Sequence, residues 1–174
     1  MLAQVGYVPV RQPLNLEGAT FEGRAEFTET RFRNEVYLSG ASFDQAARFF
    51  SARFTQGVWG YETVFEQADF HGARFGDAVD FTQARFDRCH FQGAEFTARA
   101  SFDGATFGHA SLPGVRFHDD VSFDDAVCPA RVNLQHSEFT AIASFDQPTP
   151  LDETTCFDLQ DATITAGRLV PPQA

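Results

Sequence analysis

Large apolar residues recur along the chain at a spacing of five or six positions. The segments LEGATFEGRAEF, EQADFHGARF and QGAEF show the pattern, in which a small or β-branched residue stands two positions before each large one. This spacing matches neither the 3.6-residue turn of an α-helix nor a long extended run of period two. Because the pattern continues over most of the chain, it indicates a short structural unit that is repeated many times.

We define the large apolar residue of each unit as its centre. Every phenylalanine except Phe50 is a centre, and Trp59 is assigned as the centre of the least regular segment, GVWGYETVF. The centre and the small residue two positions earlier should both face inward, because alternate residues of an extended segment point to the same side. The predicted centres are Leu16, Phe21, Phe27, Phe32, Leu38, Phe43, Phe49, Phe54, Trp59, Phe65, Phe70, Phe75, Phe81, Phe86, Phe91, Phe96, Phe102, Phe107, Leu112, Phe117, Phe123, Cys128, Leu134, Phe139, Phe145, Leu151 and Phe157.

A five-residue unit suits one short side of a coil, with the remaining residues turning the corner. Stacked coils then pair their backbones and place phenylalanine on phenylalanine, which is how a β-solenoid builds a continuous core. With four sides per coil, the centres make about seven coils, and a strand spacing of about 4.8 Å gives a rod about 32 Å long. The sequence therefore predicts one all-β domain.

The A-x-F-x-x units resemble those of the pentapeptide-repeat proteins, and the mixture of fives and sixes is similar to a Phe-rich subset of that family. The resemblance implies an all-β, right-handed quadrilateral β-helix (β-solenoid) of about seven coils, and the handedness comes from the family alone. We assign residues 14–157 to the β-helix, 1–13 to an N-terminal cap or tail, and 158–174 to a C-terminal cap or tail. An end-to-end homodimer through the last coil is a further expectation.

The charge balance bears on the class of partner. Arginine supplies all 13 basic residues against 24 acidic ones, for a net charge of −11, which disfavours direct binding to nucleic acid. No apolar stretch reaches the roughly 18 residues of a membrane helix, and the N-terminus lacks the basic flank of a signal peptide. We therefore expect a cytoplasmic protein that binds another protein and neither nucleic acid nor membrane.

The cysteines and histidines suggest no chemistry. Cys89, Cys128 and Cys156 form no CxxC pair and lack metal-ligand spacing, so a disulfide or zinc site is not expected. Cys89 and Cys128 should face inward, which leaves Cys156 as an outward-facing, reactive thiol. The five histidines also lack ligand spacing: they are His71, His90, His109, His118 and His136.

Catalysis is not expected either. An active site needs polar side chains that converge in a concavity, whereas the predicted lumen is filled with phenylalanine and alanine. No phosphate-binding glycine motif is present. The sequence thus predicts a protein that is not an enzyme and needs no cofactor or metal. Phe50, Tyr37 and Tyr61 could form an exposed aromatic patch.

Outward side chains that recur once per coil should stack in columns along the rod. One predicted acidic column consists of Glu22, Asp44, Glu66 and Asp87, and a second consists of Asp103, Asp124 and Asp146. The segment HDDVSFDD adds Asp119, Asp120 and Asp125. An arginine column on another side consists of Arg31, Arg53, Arg74 and Arg116, interrupted by Glu95.

The sequence is compatible with two hypotheses of function. In the first, the acidic residues bind a protein partner. The family resemblance implies a sharper form, because some members are DNA mimics that bind type II topoisomerases, notably gyrase, and confer quinolone resistance. Against it, a 32 Å length of duplex DNA carries roughly 19 charges, more than this chain's net charge. In the second hypothesis the chain is a structural scaffold or spacer with no topoisomerase role, and the acids are residues suited to turns.

Overall fold

The computed structural model describes residues 12–146, 148 and 156–165, and the backbone of three further strands, Ala3–Gln4, Thr149–Pro150 and Leu169–Val170. This part of the chain consists of short strands, turns and bends, and it contains no helix. It accordingly has no apolar helix with the length to cross a membrane. All of its strand pairs are parallel, and they form three sheets.

Each coil has four sides, which we number in the order in which the chain follows them. The first and second sides share an 11-stranded sheet, because four strands run round the corner between them: Ser42–Arg48, Val64–Asp69, Arg85–His90 and Thr106–Ser111. The other strands of the first side are Thr20–Phe21, Val127–Cys128 and Thr149–Pro150. Those of the second side are Ala3–Gln4, Ala25–Glu26, Val132–Asn133 and Phe157–Asp158.

The third and fourth sides form separate sheets of seven and eight two-residue strands. The third side contains Arg31–Phe32, Arg53–Phe54, Arg74–Phe75, Glu95–Phe96, Arg116–Phe117, Glu138–Phe139 and Thr163–Ile164. The fourth side contains Leu14–Asn15, Val36–Tyr37, Val58–Trp59, Val79–Asp80, Ala100–Ser101, Val121–Ser122, Ala143–Ser144 and Leu169–Val170.

Successive coils are stacked in register, so that like residues meet. On the third side, Phe75 pairs with Phe54 of the coil before and with Phe96 of the coil after. In most coils the chain therefore returns to the same side after 21 or 22 residues, which corresponds to four units, of which one or two have six residues and the others five. This arrangement confirms the predicted all-β, four-sided β-solenoid of about seven coils.

The core consists of phenylalanine ladders, one for each side. Phe75 and Phe96 stack with ring centroids 4.5 Å apart, and Phe49 and Phe70 stack at 4.7 Å. The small residue two positions before each centre fills the space beside the rings, as Ala73 does before Phe75, and both are fully buried. Burial of each phenylalanine stabilises the fold by about 1.5–3 kcal/mol before chain ordering is counted.

The corners after the second and fourth sides are tight turns of one kind. Ala105 N–H donates to Phe102 O at 3.0 Å, and Gly104, the third residue of this four-residue turn, has φ +63°. This combination is a type II turn, which requires a left-handed residue at its third position. Several non-glycine residues take the same conformation, among them Asp125 and His136.

Among the described residues, the sequence placed two centres wrongly, and the first is Trp59. Val58 pairs with Val36, which stands two positions before the centre Leu38. Gly60 therefore occupies the centre of this unit, and Trp59 pairs with Tyr37 at an outward position. A Cβ atom on Gly60 would lie 2.6 Å from the ring of Phe81, which fills the space that a centre side chain would need.

The second wrong centre is Phe157, near the end of the described chain. Phe157 pairs with Val132, which stands two positions before the centre Leu134, so Leu159 is the true centre of that unit. Strand pairing also continues outside residues 14–157, because Ala3–Gln4 and Thr163–Ile164 both pair with neighbouring coils. Most of the predicted cap at 1–13 and part of the one at 158–174, like the centre Leu151, lie outside the described residues.

The cysteine prediction was wrong for two of the three residues. Cys128 and Cys156 form a disulfide with their Cα atoms 5.5 Å apart, and Cys156 is buried rather than outward-facing. Cys156 lies at the corner just before the strand Phe157–Asp158, where the backbone departs from the alternation of a strand, so counting gave the wrong direction. Cys89 is a free, fully buried thiol, as expected.

Candidate interaction surface

The first acidic column lies at the end of the first side. The centres Phe21, Phe43, Phe65 and Phe86 pair in register, so the residue that follows each of them stacks at about the 4.8 Å strand spacing. These following residues are Glu22, Asp44, Glu66 and Asp87, of which the first three are exposed and Asp87 is half-buried. The structure therefore brings this predicted set together.

Internal cations neutralise only part of this column. Arg85 Nε lies 2.7 Å from Asp87 Oδ1, and this hydrogen bond to the carboxylate raises the pKa of Arg85. Arg88 is 4.0 Å from Glu66. Among the described residues, no cation lies within ion-pair distance of Glu22 or Asp44, so the N-terminal half of the column presents unneutralised carboxylates.

The second acidic column, on the fourth side, is built differently. Asp103 Oδ1 accepts hydrogen bonds from the backbone N–H of Asp124, at 3.2 Å, and from the Ser122 hydroxyl. Asp124 Oδ1 accepts the equivalent bonds from Asp146 N–H at 2.7 Å and from Ser144 Oγ at 2.5 Å. These carboxylates join successive coils, so they have a structural role that the sequence analysis missed. The motif S-x-D recurs here in ASFDG, VSFDD and ASFDQ, but ASFDQ also stands at 41–45 on the first side, where Ser42 donates to Asp44 of its own coil. The motif alone therefore did not indicate this role.

The dense segment HDDVSFDD does not form a single patch. Asp119 and Asp120 lie at the corner before the fourth side, whereas Asp125 lies at the corner after it. Asp120 accepts a hydrogen bond from Ile142 N–H at 3.0 Å and is 3.8 Å from Arg99. Asp119 Oδ1 accepts from the backbone of Asp120 at 2.8 Å. Asp119 therefore serves its own turn, whereas Asp120, like Asp124, accepts a hydrogen bond from the next coil.

The arginine column lies on the third side, as predicted. In register, its positions are Arg31, Arg53, Arg74, Glu95, Arg116 and Glu138. In its later coils the charges alternate, with Arg74 3.4 Å from Glu95 and Arg116 3.8 Å from Glu138. The first and third sides face opposite directions, so the rod has an acidic column on one flank and an arginine column on the other.

The repeat itself decides the family. A family model described as pentapeptide repeats (9 copies) matches residues 8–53 and 61–106, which together make up more than half of the chain. The gap between the two matches contains Trp59 and Gly60, where the structure departs from the repeat.

This chain belongs to the pentapeptide-repeat family. Among solved structures, this pentapeptide-repeat protein is similar to HetL from the cyanobacterium Nostoc sp. strain PCC 7120, a pentapeptide repeat protein involved in heterocyst differentiation regulation. The two are 16% identical over 86% of each chain, with a TM-score of 0.32. A comparison with proteins of curated function finds no match.

The predicted aromatic patch of the pentapeptide-repeat protein is not formed. Phe50 follows the second side and Tyr61 the fourth, so the two rings lie on opposite sides of the coil. The Phe50 ring lies 5.3 Å from that of His71, and the Tyr61 hydroxyl donates to Gln83 Oε1 at 2.8 Å. Tyr37 instead has Trp59 as its neighbour in the next coil.

Groups that could support catalysis or metal binding are dispersed. Within the described residues no cluster of three His, Cys, Asp or Glu is placed to hold a metal ion. His118 Nε2 lies 3.0 Å from Glu95 Oε1, and His136 Nδ1 lies 4.0 Å from Asp161. Both contacts are on the outer surface, because the lumen is occupied by phenylalanine and alanine.

Proposed function

We propose that this pentapeptide-repeat protein is a non-catalytic protein-binding module, and that the acidic column of the first side binds a cationic surface of its partner. The observation that carries the proposal is the exposed, in-register placement of Glu22, Asp44 and Glu66, with no described cation beside the first two. The solenoid backbone fixes the spacing of these carboxylates before a partner arrives. Such preorganisation favours binding because little ordering of the protein is required.

The fourth-side column contributes less to this surface. Asp103 and Asp124 already accept hydrogen bonds from the next coil, so their carboxylates are engaged within the fold. We therefore assign the binding role to the first-side column and a structural role to these two residues. The non-catalytic part of the proposal is supported by the lumen of the described coils, which is packed with apolar side chains and leaves no interior site for a substrate there.

The sharper form of the proposal is that the partner is a type II topoisomerase such as gyrase, with the rod taking the place of DNA. It is supported by the net charge of −11 and by the straight acidic column. One charge per roughly 4.8 Å in a column is sparser than the one per roughly 1.7 Å of duplex DNA. A mimic of this design would therefore reproduce only part of the negative charge density of DNA.

The test neutralises the column and compares it with an equal change elsewhere. The column variant carries Glu22→Gln, Asp44→Asn, Glu66→Gln and Asp87→Asn. The matched control carries Glu17→Gln, Glu29→Gln, Glu62→Gln and Asp161→Asn, which are exposed positions away from the column. Proteins retained from a bacterial lysate by each immobilised form are identified at low and high salt, and purified gyrase is titrated with and without competing duplex DNA.

A partner that is lost with the column variant and at high salt, but kept by the control, supports the proposal. Equal recovery by all three forms would contradict it and favour the scaffold hypothesis. Gyrase that fails to bind, while another basic partner depends on the column, would overturn only the topoisomerase form. Gyrase that binds and is displaced by DNA would support that form.

A further inference from the structure

The third side has an unbalanced positive charge in its first three coils. Arg31, Arg53 and Arg74 are exposed and pair in register, one per coil. Arg74 has an acidic neighbour in Glu95, but within the described chain Arg31 and Arg53 have no carboxylate at ion-pair distance. Arg33 adds a further exposed guanidinium at the same end. Three like charges about 4.8 Å apart repel one another, so a bound anion would reduce the repulsion within the column.

These arginines line a shallow groove of about 430 Å³, which also includes Glu95 beside Arg74. The lining further includes the residues that follow the third-side centres, namely Thr55, Gly76 and Thr97. The hydroxyls of Thr55 and Thr97 donate to backbone carbonyls of the preceding coils, at 3.0 and 3.1 Å. At Gly76 a Cβ atom would lie only 3.1 Å from Phe54 O, so this lining position is closely packed against the coil before and carries no side chain.

We propose that this groove binds a short, extended acidic segment of a partner protein, rich in aspartate or glutamate. A guanidinium pairs with a carboxylate through two parallel hydrogen bonds, which makes arginine well suited to bind such a segment. The distance from Arg31 to Arg74 is two strand spacings, about 10 Å, which is the length of about three extended residues. The groove therefore fits a motif of a few residues.

The surroundings favour an acidic peptide over a nucleic acid strand. The column is bounded along the rod by Glu95, and Glu29 and Glu35 lie at the two corners beside Arg31 and Arg33. A nucleic acid strand carries charge on every residue and would meet these carboxylates as it continued past the groove. A protein segment can carry its negative charge on only a few residues and leave the groove without repulsion.

This inference goes beyond the proposed function because it uses the opposite flank of the rod. The first side would bind a cationic surface and the third side an acidic segment. The protein would then hold two partners of opposite charge at a fixed separation. Either surface can exist without the other, so their tests are independent.

The experiment measures binding of a fluorescent peptide, about six alternating Asp and Glu residues with Gly-Ser ends, to the full chain by anisotropy. The column variant is Arg31→Gln, Arg53→Gln and Arg74→Gln. The matched control is Arg48→Gln, Arg88→Gln and Arg99→Gln, which removes the same charge at positions that have acidic partners. Circular dichroism melting curves verify that both variants fold, and Arg53→Lys serves as a milder variant that keeps the charge but loses the paired hydrogen bonds.

We expect the column variant to bind the peptide at least about tenfold more weakly, Arg53→Lys to show a smaller loss, and the control to stay within about twofold of the native chain. Equal losses in both triple variants, or no binding by the native chain, would overturn the proposal. A single-stranded oligonucleotide with the same number of charges is the competing ligand. If it binds as tightly and depends on the same arginines, the assignment to an acidic protein segment is wrong.

Discussion

Asp124 accepts a hydrogen bond from the backbone N–H of Asp146 in the next coil, with 2.7 Å between N and Oδ1. The same oxygen accepts from the hydroxyl of Ser144, and Asp103 accepts the equivalent bonds one coil earlier. A carboxylate that looks like surface charge in the sequence is thus a connection between coils. The described contacts of the first-side column include no such hydrogen bonds between coils. The two columns therefore differ in whether their carboxylates have a structural role.

This distinction predicts different costs for removing the two kinds of acid. Asp124→Ala should destabilise the fold by about 1.5–3 kcal/mol, because it deprives a backbone N–H and a hydroxyl of a charged acceptor. Asp44→Ala should change stability by less than about 0.5 kcal/mol, since Asp44 is exposed and accepts its hydrogen bond from the nearby Ser42 hydroxyl. Chemical denaturation of the two variants beside the native chain measures the difference. Equal losses would show that the ladder of bonds between coils adds no stability.

A second prediction concerns the missing side chain at Gly60. Gly60→Ala places a Cβ atom 2.6 Å from the Phe81 ring, so we expect a loss of about 1–3 kcal/mol from overpacking. Phe81→Leu in the same chain should recover part of that loss, although it is costly alone. A double-mutant cycle measured by thermal unfolding gives the coupling between the two sites. Purely additive effects would contradict the overlap of these two groups.

The sequence was informative wherever the repeat was regular. Register, burial and the charged columns follow from counting units, because each coil places like residues at like positions; Phe54, Phe75 and Phe96 illustrate this. Counting units gave the wrong centre near Gly60. This glycine stands where other units have a large side chain, and the ring of Phe81 from the next coil occupies the space. A lone sequence does not show this substitution, since Trp59 is the only large apolar residue nearby that satisfies the pattern.

The functional columns were predicted in position but not in role. Sequence spacing alone assigned Asp103 and Asp124 to the same class as Glu22 and Asp44, because all four follow a centre. What separates them is the direction in which the serine before the next centre donates. Ser122 and Ser144 donate to the aspartate of the coil before, whereas Ser42 donates to Asp44 of its own coil and not to Glu22. The cysteine pair was missed for a related reason, because a disulfide depends on which coil positions face each other in space.

The disulfide yields a third prediction, for the C-terminal coils. It closes a segment of 28 residues, and loop closure of that length stabilises a fold by about 3–4 kcal/mol in the chain-entropy description. Reductant should therefore lower the midpoint temperature of the first thermal transition of the native chain. A variant with both Cys128→Ala and Cys156→Ala should show the lower midpoint temperature without reductant, and reductant should not change it. A native chain that is insensitive to reductant would indicate that the two thiols are not linked.

The last prediction concerns the buried thiol of Cys89. Desolvation raises the pKa of Cys89 from its usual value of 9.0, although a backbone hydrogen bond involving Ser111 opposes the shift. In the unfolded chain the thiol ionises above about pH 9, whereas in the folded chain it stays neutral. Stability contributed by this group is therefore complete below about pH 9 and falls as pH rises, at up to about 1.4 kcal/mol per pH unit.

Comparison with Cys89→Ala isolates this effect from tyrosine ionisation at similar pH. Tyr37, whose pKa is raised by its hydrogen bond to Glu35, remains in both proteins and contributes equally to each. Denaturant unfolding from about pH 7 to about pH 10.5, with Cys128 and Cys156 left oxidised, should show the native chain losing more stability than the variant above about pH 9. Parallel profiles would mean that Cys89 ionises as easily in the folded chain as in the unfolded one, which its burial among the phenylalanine ladders does not allow.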